Sequence, residues 1–203
     1  MKSLGYLALW LLISSTAGSV SAADFTDPTW PCVQRKVEKL SLGLMWPISD
    51  ADIAQPSPET AAAIDTLADS LALRRIDLPS LEPEVAAFVA ADEENSELLG
   101  TVFETVFSSL ASRRSQIIQG IGDFSQSQIA LADKIDRLRA DITEEMAKTE
   151  PDYDKVDALE EQLDWDQVIY SDRQQSITYL CETPVLLEKR LYAVAQMLQN
   201  AVD

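Results

Sequence analysis

Apolar residues recur at alternating spacings of three and four positions along the second half of the chain. The pattern covers two stretches, about 96–148 and 153–200, which Pro151 and its polar neighbours separate. Three-four spacing sustained over about six heptads is typical of a coiled-coil seam. We therefore predict two long helices, which a turn at 149–152 folds back into an antiparallel hairpin.

The same spacing predicts how the two helices face each other. If residue numbers at facing positions sum to about 301, Leu138 meets Leu163. Two polar seam residues, Gln128 and Arg173, would then also meet. A single polar layer in an apolar seam fixes register at some cost in stability. We predict that Gln128 and Arg173 form a structural polar layer of this kind.

Two shorter helices are predicted ahead of the hairpin. Ser57-Pro58-Glu59 combines an N-cap with a proline in the first turn, and this helix runs to about residue 75. A second helix follows Pro79 and covers about 82–92. The hairpin is apolar nearly all round at one end, so that end needs neighbours on two faces. We predict an all-α fold, in which the shorter helices pack one end of a long antiparallel coiled-coil hairpin into a four-helix body and leave a bare arm at about 125–175.

Residues 1–22 have the organisation of a secretory signal peptide. A basic start precedes the apolar run from Leu4 to Ile13, and small residues lead to a cleavage point after Ala22 or after Ala23. This run is too short to span a bilayer, and no later stretch reaches about 18 uncharged apolar residues. We expect an exported protein, periplasmic or secreted, without stable membrane insertion, whose residues 23–203 form a single helical domain.

The chain has two cysteines, Cys32 and Cys181. In an oxidising compartment two cysteines form one disulfide by default, and we predict that bond here. A redox-active pair or a bridge between chains is the alternative, although no C-x-x-C spacing supports dithiol chemistry.

The predicted disulfide ties the N-terminal segment to the hairpin. The register places Gly120 opposite Cys181, so Gly120 and Gly122 would leave room for the segment 30–32, Trp-Pro-Cys. We also expect a short helix over 32–39.

The composition argues against most enzyme chemistry. The 203 residues include no histidine, so the commonest general base and every Ser-His or Cys-His pair are absent. There is no G-x-S-x-G, S-x-x-K or Gly-rich phosphate loop in the sequence. A carboxylate pair for glycoside chemistry stays open, because acidic residues are abundant. We predict a non-enzymatic protein with no catalytic residue and no cofactor.

The charge is strongly negative and unevenly distributed. Sixteen basic residues stand against 34 acidic ones, for a net charge of −18, which disfavours nucleic acid as a partner. Residues 141–166, at the predicted hairpin tip, hold 11 acids and two lysines. This tip is either a solvated surface that maintains solubility or a docking site for a partner with a basic surface.

The candidate partner-binding residues are acids of the tip and three tryptophans. Trp165 lies off the predicted seam, and aromatic residues are enriched at binding hot spots. Each tryptophan is either intramolecular cover or a contact for a partner with a basic or apolar surface. A homodimer through the coiled-coil faces is a further option. The candidates are Trp30, Trp46, Asp152, Asp154, Asp157, Glu160, Glu161 and Trp165.

The alternative function is a small-molecule or metal-ion binding protein with its site in the helical body. For a metal, the spacing of Asp152, Asp154 and Asp157 resembles part of a calcium loop but lacks the glycine and the final glutamate of an EF-hand. We predict no metal ligands at the tip.

Overall fold

The computed structural model describes residues 27–46, 56–92 and 96–201. Over these ranges helices are the only regular elements, so the predicted all-α fold is confirmed. The described residues contain α1 (Pro58–Ala72), α2 (Glu82–Ala91), α3 (Leu99–Met146) and α4 (Tyr153–Asn200), with short 3₁₀ turns at Leu42–Leu44 and Leu78–Leu81. The predicted signal peptide lies outside the described residues.

Helices α3 and α4 form the long antiparallel hairpin that the heptad pattern predicts. Each contains 48 residues and is about 72 Å long at 1.5 Å per residue. The turn between them ends at Asp152, whose side chain accepts a hydrogen bond from the backbone N–H of Lys155 and caps α4.

Ion pairs between the two helices show their register. Lys134 Nζ lies 2.8 Å from Asp166 Oδ2, and Arg114 pairs with Glu188. The residue numbers of these pairs, 134 with 166 and 114 with 188, sum to 300 and 302. The helices therefore face each other within one residue of the predicted register.

The predicted polar layer is only half present. Gln128 is buried, and its Nε2 donates to the backbone carbonyl of Tyr170 at 3.2 Å. Arg173 is exposed, as are all residues of 171–176. The pairing of Gln128 with Arg173 is therefore wrong. A guanidinium buried against a neutral amide would lose its hydration without gaining a counter-ion, so solvent is the more stable place for Arg173.

Helices α1 and α2 pack against the base of the hairpin and form the predicted body. The face of α1 that the sequence marked as apolar, Ile64, Leu67 and Leu71, is buried there. Arg190 of α4 reaches across this contact and donates from Nε to the carbonyl of Leu71 and from Nη1 to that of Ile76. These two bonds satisfy carbonyl groups at and beyond the end of α1, where no helical partner is present.

Residues 27–46, called the strap below, run along α3 in the opposite direction. Ser125 Oγ donates to the carbonyl of Pro28 at 2.7 Å, and Arg114 Nη1 donates to that of Val37 at 2.7 Å. The helix predicted over 32–39 is absent from the strap. The carbonyl groups of Val37 and Glu38 accept hydrogen bonds from the α3 side chains of Arg114 and Ser115 instead of from the backbone N–H groups of a helix.

The predicted disulfide joins the strap to α4. Cys32 and Cys181 are bonded, with their Cα atoms 5.5 Å apart, and they are buried together with Ile121 of α3. The expected role of the glycines is wrong. A Cβ on Gly120 would have nothing within 4 Å, and one on Gly122 would only make ordinary contact, 3.8 Å from the carbonyl of Thr29.

Candidate functional site

Trp46 is partly buried and packs against the core of the body. Its ring stacks on Phe103 of α3, with centroids 5.2 Å apart and planes 24° from parallel. A Cβ added to Gly100 would lie only 3.2 Å from Trp46 Nε1. A larger residue at position 100 would therefore need the Trp46 ring to shift by a few tenths of an ångström, so Gly100 is the glycine in closest contact with the strap.

Trp30 is half-buried against the disulfide cluster. Its Nε1 donates to the carbonyl of Gln34 at 2.6 Å, so its one polar group has an internal partner. Lys36 Nζ lies 6.0 Å from the centroid of the ring, at the outer limit of a cation–π contact. Trp30 therefore holds the strap in place around Cys32 and Cys181.

Trp165 is the candidate tryptophan that the fold leaves uncovered. Its side chain is 62% exposed on the outer surface of α4, and that of Val168, one turn later, is 53% exposed. Both line a shallow depression with four acidic residues. We call this surface the Trp165 patch; it consists of Asp157, Glu160, Glu161, Asp164, Trp165 and Val168.

The helix period explains why these residues share one surface. Positions three, four and seven apart lie on the same face of an α-helix, and 157, 161, 164, 165 and 168 are related in this way. The seam residues of the same stretch face the other way, toward α3. Val156 and Asp166 are buried there, and Leu163 is half-buried. The patch therefore belongs to the solvent side of the arm.

Within residues 27–46, 56–92 and 96–201, the patch carboxylates have no counter-ion. Among the described residues, none of the ion pairs includes Asp157, Glu160, Glu161 or Asp164. Asp166, in the same stretch, is instead buried and paired with Lys134. Four carboxylates and one exposed indole on the same face make a surface that is both negative and apolar.

Two predicted candidates lie next to the patch but outside it. Asp152 caps α4, and its backbone N–H lies 3.4 Å from Glu145 Oε1, so its role in the described structure is to shape the turn. Asp154 is exposed in the first turn of α4, where a negative charge is favoured by the helix dipole. Neither residue lines the depression that contains Trp165.

Glu145 is a structural residue of the turn that the sequence analysis did not single out. It is buried at the tip, and its Oε2 lies 2.9 Å from Lys148 Nζ and 2.6 Å from Lys155 Nζ. These two hydrogen-bonded lysines, together with the N–H of Asp152, lower the pKa of Glu145 to about 2. The available signal was that the acidic tip contains only two lysines, and both are used here.

This network predicts a pH-dependent stability of the tip. The pKa of Glu145 lies below its ordinary 4.5, so its stabilising effect is complete above about pH 4.5 and is lost as the pH falls toward 2. In Glu145→Gln we expect faster amide hydrogen exchange at 147–152 than in the wild type at pH 6. The ratio of the two rates should fall toward one as the pH approaches 2.

Glu144→Gln is the matched control for that measurement. Glu144 is exposed, and its replacement by glutamine removes the same charge one position away from Glu145. It should leave the exchange rates of the turn close to those of the wild type at every pH. If amide exchange at 147–152 were equally faster in both variants, the total charge of the tip, and not the hydrogen bonds of Glu145, would determine the stability of the turn.

The body offers a different kind of surface. An apolar groove lies between α2 and the C-terminal end of α4, with Val85, Val89, Met197 and Ala201 among its lining residues. In the described part of the chain no three acidic or cysteine side chains are placed to hold a metal ion. Within the same residues, no helix combines the length and the apolarity that crossing a membrane requires.

The function can be inferred only from the geometry of the patch, because the comparisons with known proteins add no evidence. No family model, no curated protein and no solved structure matches this chain.

Proposed function

We propose that this chain is an exported, non-enzymatic interaction protein that binds a protein partner through the Trp165 patch. One observation carries the proposal: Trp165 is 62% exposed and lines one depression with four carboxylates that have no ion-pair partner among the described residues. The partner has a basic surface with an apolar recess that accepts the indole.

The energetics favour such a use of the patch. Tryptophan is among the residues that dominate binding hot spots, where its truncation costs about 2 kcal/mol or more. The surrounding acids act mainly on encounter, because their field reaches about 8 Å at physiological ionic strength. The tryptophan supplies affinity, and the carboxylates select a basic partner and speed its approach.

The cysteine pair bears on where this interaction takes place. The Cys32–Cys181 disulfide indicates an oxidising, extracellular-type compartment. We assign the protein to the periplasm or the secreted fraction, on the combination of this bond with the signal-like residues 1–22.

The proposal predicts that Trp165→Ala loses the partner. With the disulfide-bonded protein as immobilised bait in an extract of the source cells, the wild type should retain a specific partner that Trp165→Ala does not. Loss of a hot-spot tryptophan costs about 2 kcal/mol or more, which corresponds to roughly 30-fold in affinity.

Tyr192→Ala is the control for this capture experiment. Tyr192 is also an exposed aromatic residue of α4, 57% accessible, but it lies in the body. The Tyr192→Ala variant should retain the partner as well as the wild type does. Retention of the same partner by Trp165→Ala would move the binding site away from the patch and contradict the proposal.

A further inference from the structure

The exposed apolar residues of α4 continue beyond the Trp165 patch along the same face of the helix. Tyr179 is 74% exposed and Leu186 is 40% exposed, in addition to Trp165 and Val168. They are large side chains that neither α3 nor the strap covers. Between them, residues 171–176 are all exposed, so this length of α4 has an open outer side.

These residues are spaced as a second heptad seam. Steps of three and four alternate without a break from 165 to 186, and at 100° per residue the positions fall within an arc of about 100°. This arc lies opposite the seam toward α3 and extends for about 32 Å. We call it the outer stripe; it consists of Trp165, Val168, Asp172, Gln175, Tyr179, Glu182 and Leu186.

The charges beside the stripe indicate what can lie on it. The patch acids surround its first end, and Asp172 and Glu182 lie within it, whereas Lys189 is beyond its last residue. A helix whose apolar residues cover Trp165, Val168, Tyr179 and Leu186 would fill the apolar part of the stripe. Its lysines or arginines would have to meet Asp172, Glu182 and the patch acids, because an apolar side chain over these carboxylates would bury them unpaired. The complementary surface is a basic amphipathic helix.

We propose that the partner docks as a basic amphipathic α-helix along the outer stripe and completes a three-helix coiled coil with α3 and α4. This inference rests on the proposed function and specifies the partner that the Trp165 patch receives. The most basic end of the partner helix lies over Asp157–Asp164, where the acids are densest. A second copy of this chain is the weaker occupant, because it would bring its own acidic face against these acids.

The test places a photo-reactive benzoylphenylalanine at position 168, 175 or 182 of the full chain in the source cells. These positions are one heptad apart and leave Trp165, Tyr179 and Leu186 in place. Mass spectrometry then identifies the partner residue that is attached from each position. The same group at position 192, in the body, is the control.

If a helix docks on the stripe, the same partner becomes attached from all three positions, and no partner becomes attached from position 192. The attached residues should advance by about seven positions per step along one partner segment, with the lysine- or arginine-rich end attached from 168. Attachment from 168 alone would overturn the helix inference and leave the proposed function standing. Attachment to a second copy of this chain would also overturn it.

Two further outcomes separate the inference from the proposed function. Partner residues scattered over several segments, with attachment from all three positions, would reject a docked helix but keep a partner at the patch. No attachment from any of the three positions would count against both claims together.

Discussion

Replacing Cys32 and Cys181 together by alanine is expected to lower the free energy of unfolding by about 5 kcal/mol. The disulfide closes a separation of 149 residues, and in the chain-entropy account a loop of that length restricts the unfolded chain by this amount. The bond also fixes the strap, which has no helix of its own over 32–39 and depends on contacts with α3 and α4. Strap and hairpin should therefore lose stability together.

Urea unfolding followed by circular dichroism measures this effect. The oxidised wild type should unfold at a clearly higher urea concentration than Cys32→Ala/Cys181→Ala. Reduction of the wild type with a thiol should bring it to the midpoint of the double variant. A double variant as stable as the oxidised wild type would show that the strap is held by its other contacts alone.

Phe103→Ala is expected to cost about 3–5 kcal/mol of stability, the second large effect. The ring is fully buried in the body, between Trp46 of the strap and Phe107 of the same helix. Its removal leaves a cavity and takes away the surface on which Trp46 stacks, so both the transfer and the cavity costs apply.

The same urea experiment tests this prediction, with Tyr192→Ala as the control. Tyr192 is exposed on α4, and its replacement should change stability by no more than about 0.5 kcal/mol. A loss from Phe103→Ala as small as that of the control would contradict the packing of the strap on the body. Native-state fluorescence should also shift in Phe103→Ala, because Trp46 becomes more hydrated.

The helices could be predicted because their determinants are local. Residues 153–200, read from the heptad pattern, coincide with α4, and Ser57-Pro58 marked the start of α1. The disulfide followed from the count of cysteines. Each of these features depends on residues close in sequence or on simple composition, which periodicity and capping rules describe.

The strap could not be predicted because its conformation depends on distant residues. Its segment 32–39 forms no helix, and two of its carbonyl groups accept from Arg114 and Ser115, 77 positions away in sequence. Arg173 illustrates the same limit for a side chain, since spacing placed it in the seam and desolvation keeps it in solvent. The local sequence pattern does not predict which distant carbonyl group or counter-ion a side chain will contact.

The candidate site was predictable in position but not in accessibility. The heptad pattern predicts Trp165 off the seam and among acids, and the patch lies there. It could not separate Trp165 from Trp30 and Trp46, which are covered in the strap. A tryptophan's exposure depends on what the rest of the chain packs against it, and only the fold supplies that.

The central claim, that the Trp165 patch binds a basic partner, is tested most directly by charge neutralisation at two places. A patch variant carries Asp157→Asn, Glu160→Gln, Glu161→Gln and Asp164→Asn. A body variant removes the same charge from four exposed acids elsewhere, by Asp65→Asn, Asp69→Asn, Glu84→Gln and Glu104→Gln. Both keep the fold, which circular dichroism verifies, and differ only in where the charge is lost.

The measurement is the Kd of the captured partner for both variants at several salt concentrations. The patch variant should bind about tenfold more weakly than the wild type and lose most of the salt dependence, whereas the body variant should stay within about twofold. Equal weakening of both variants would mean that the partner responds to net charge alone. That result, or unchanged binding by the patch variant, would contradict the patch as the binding surface.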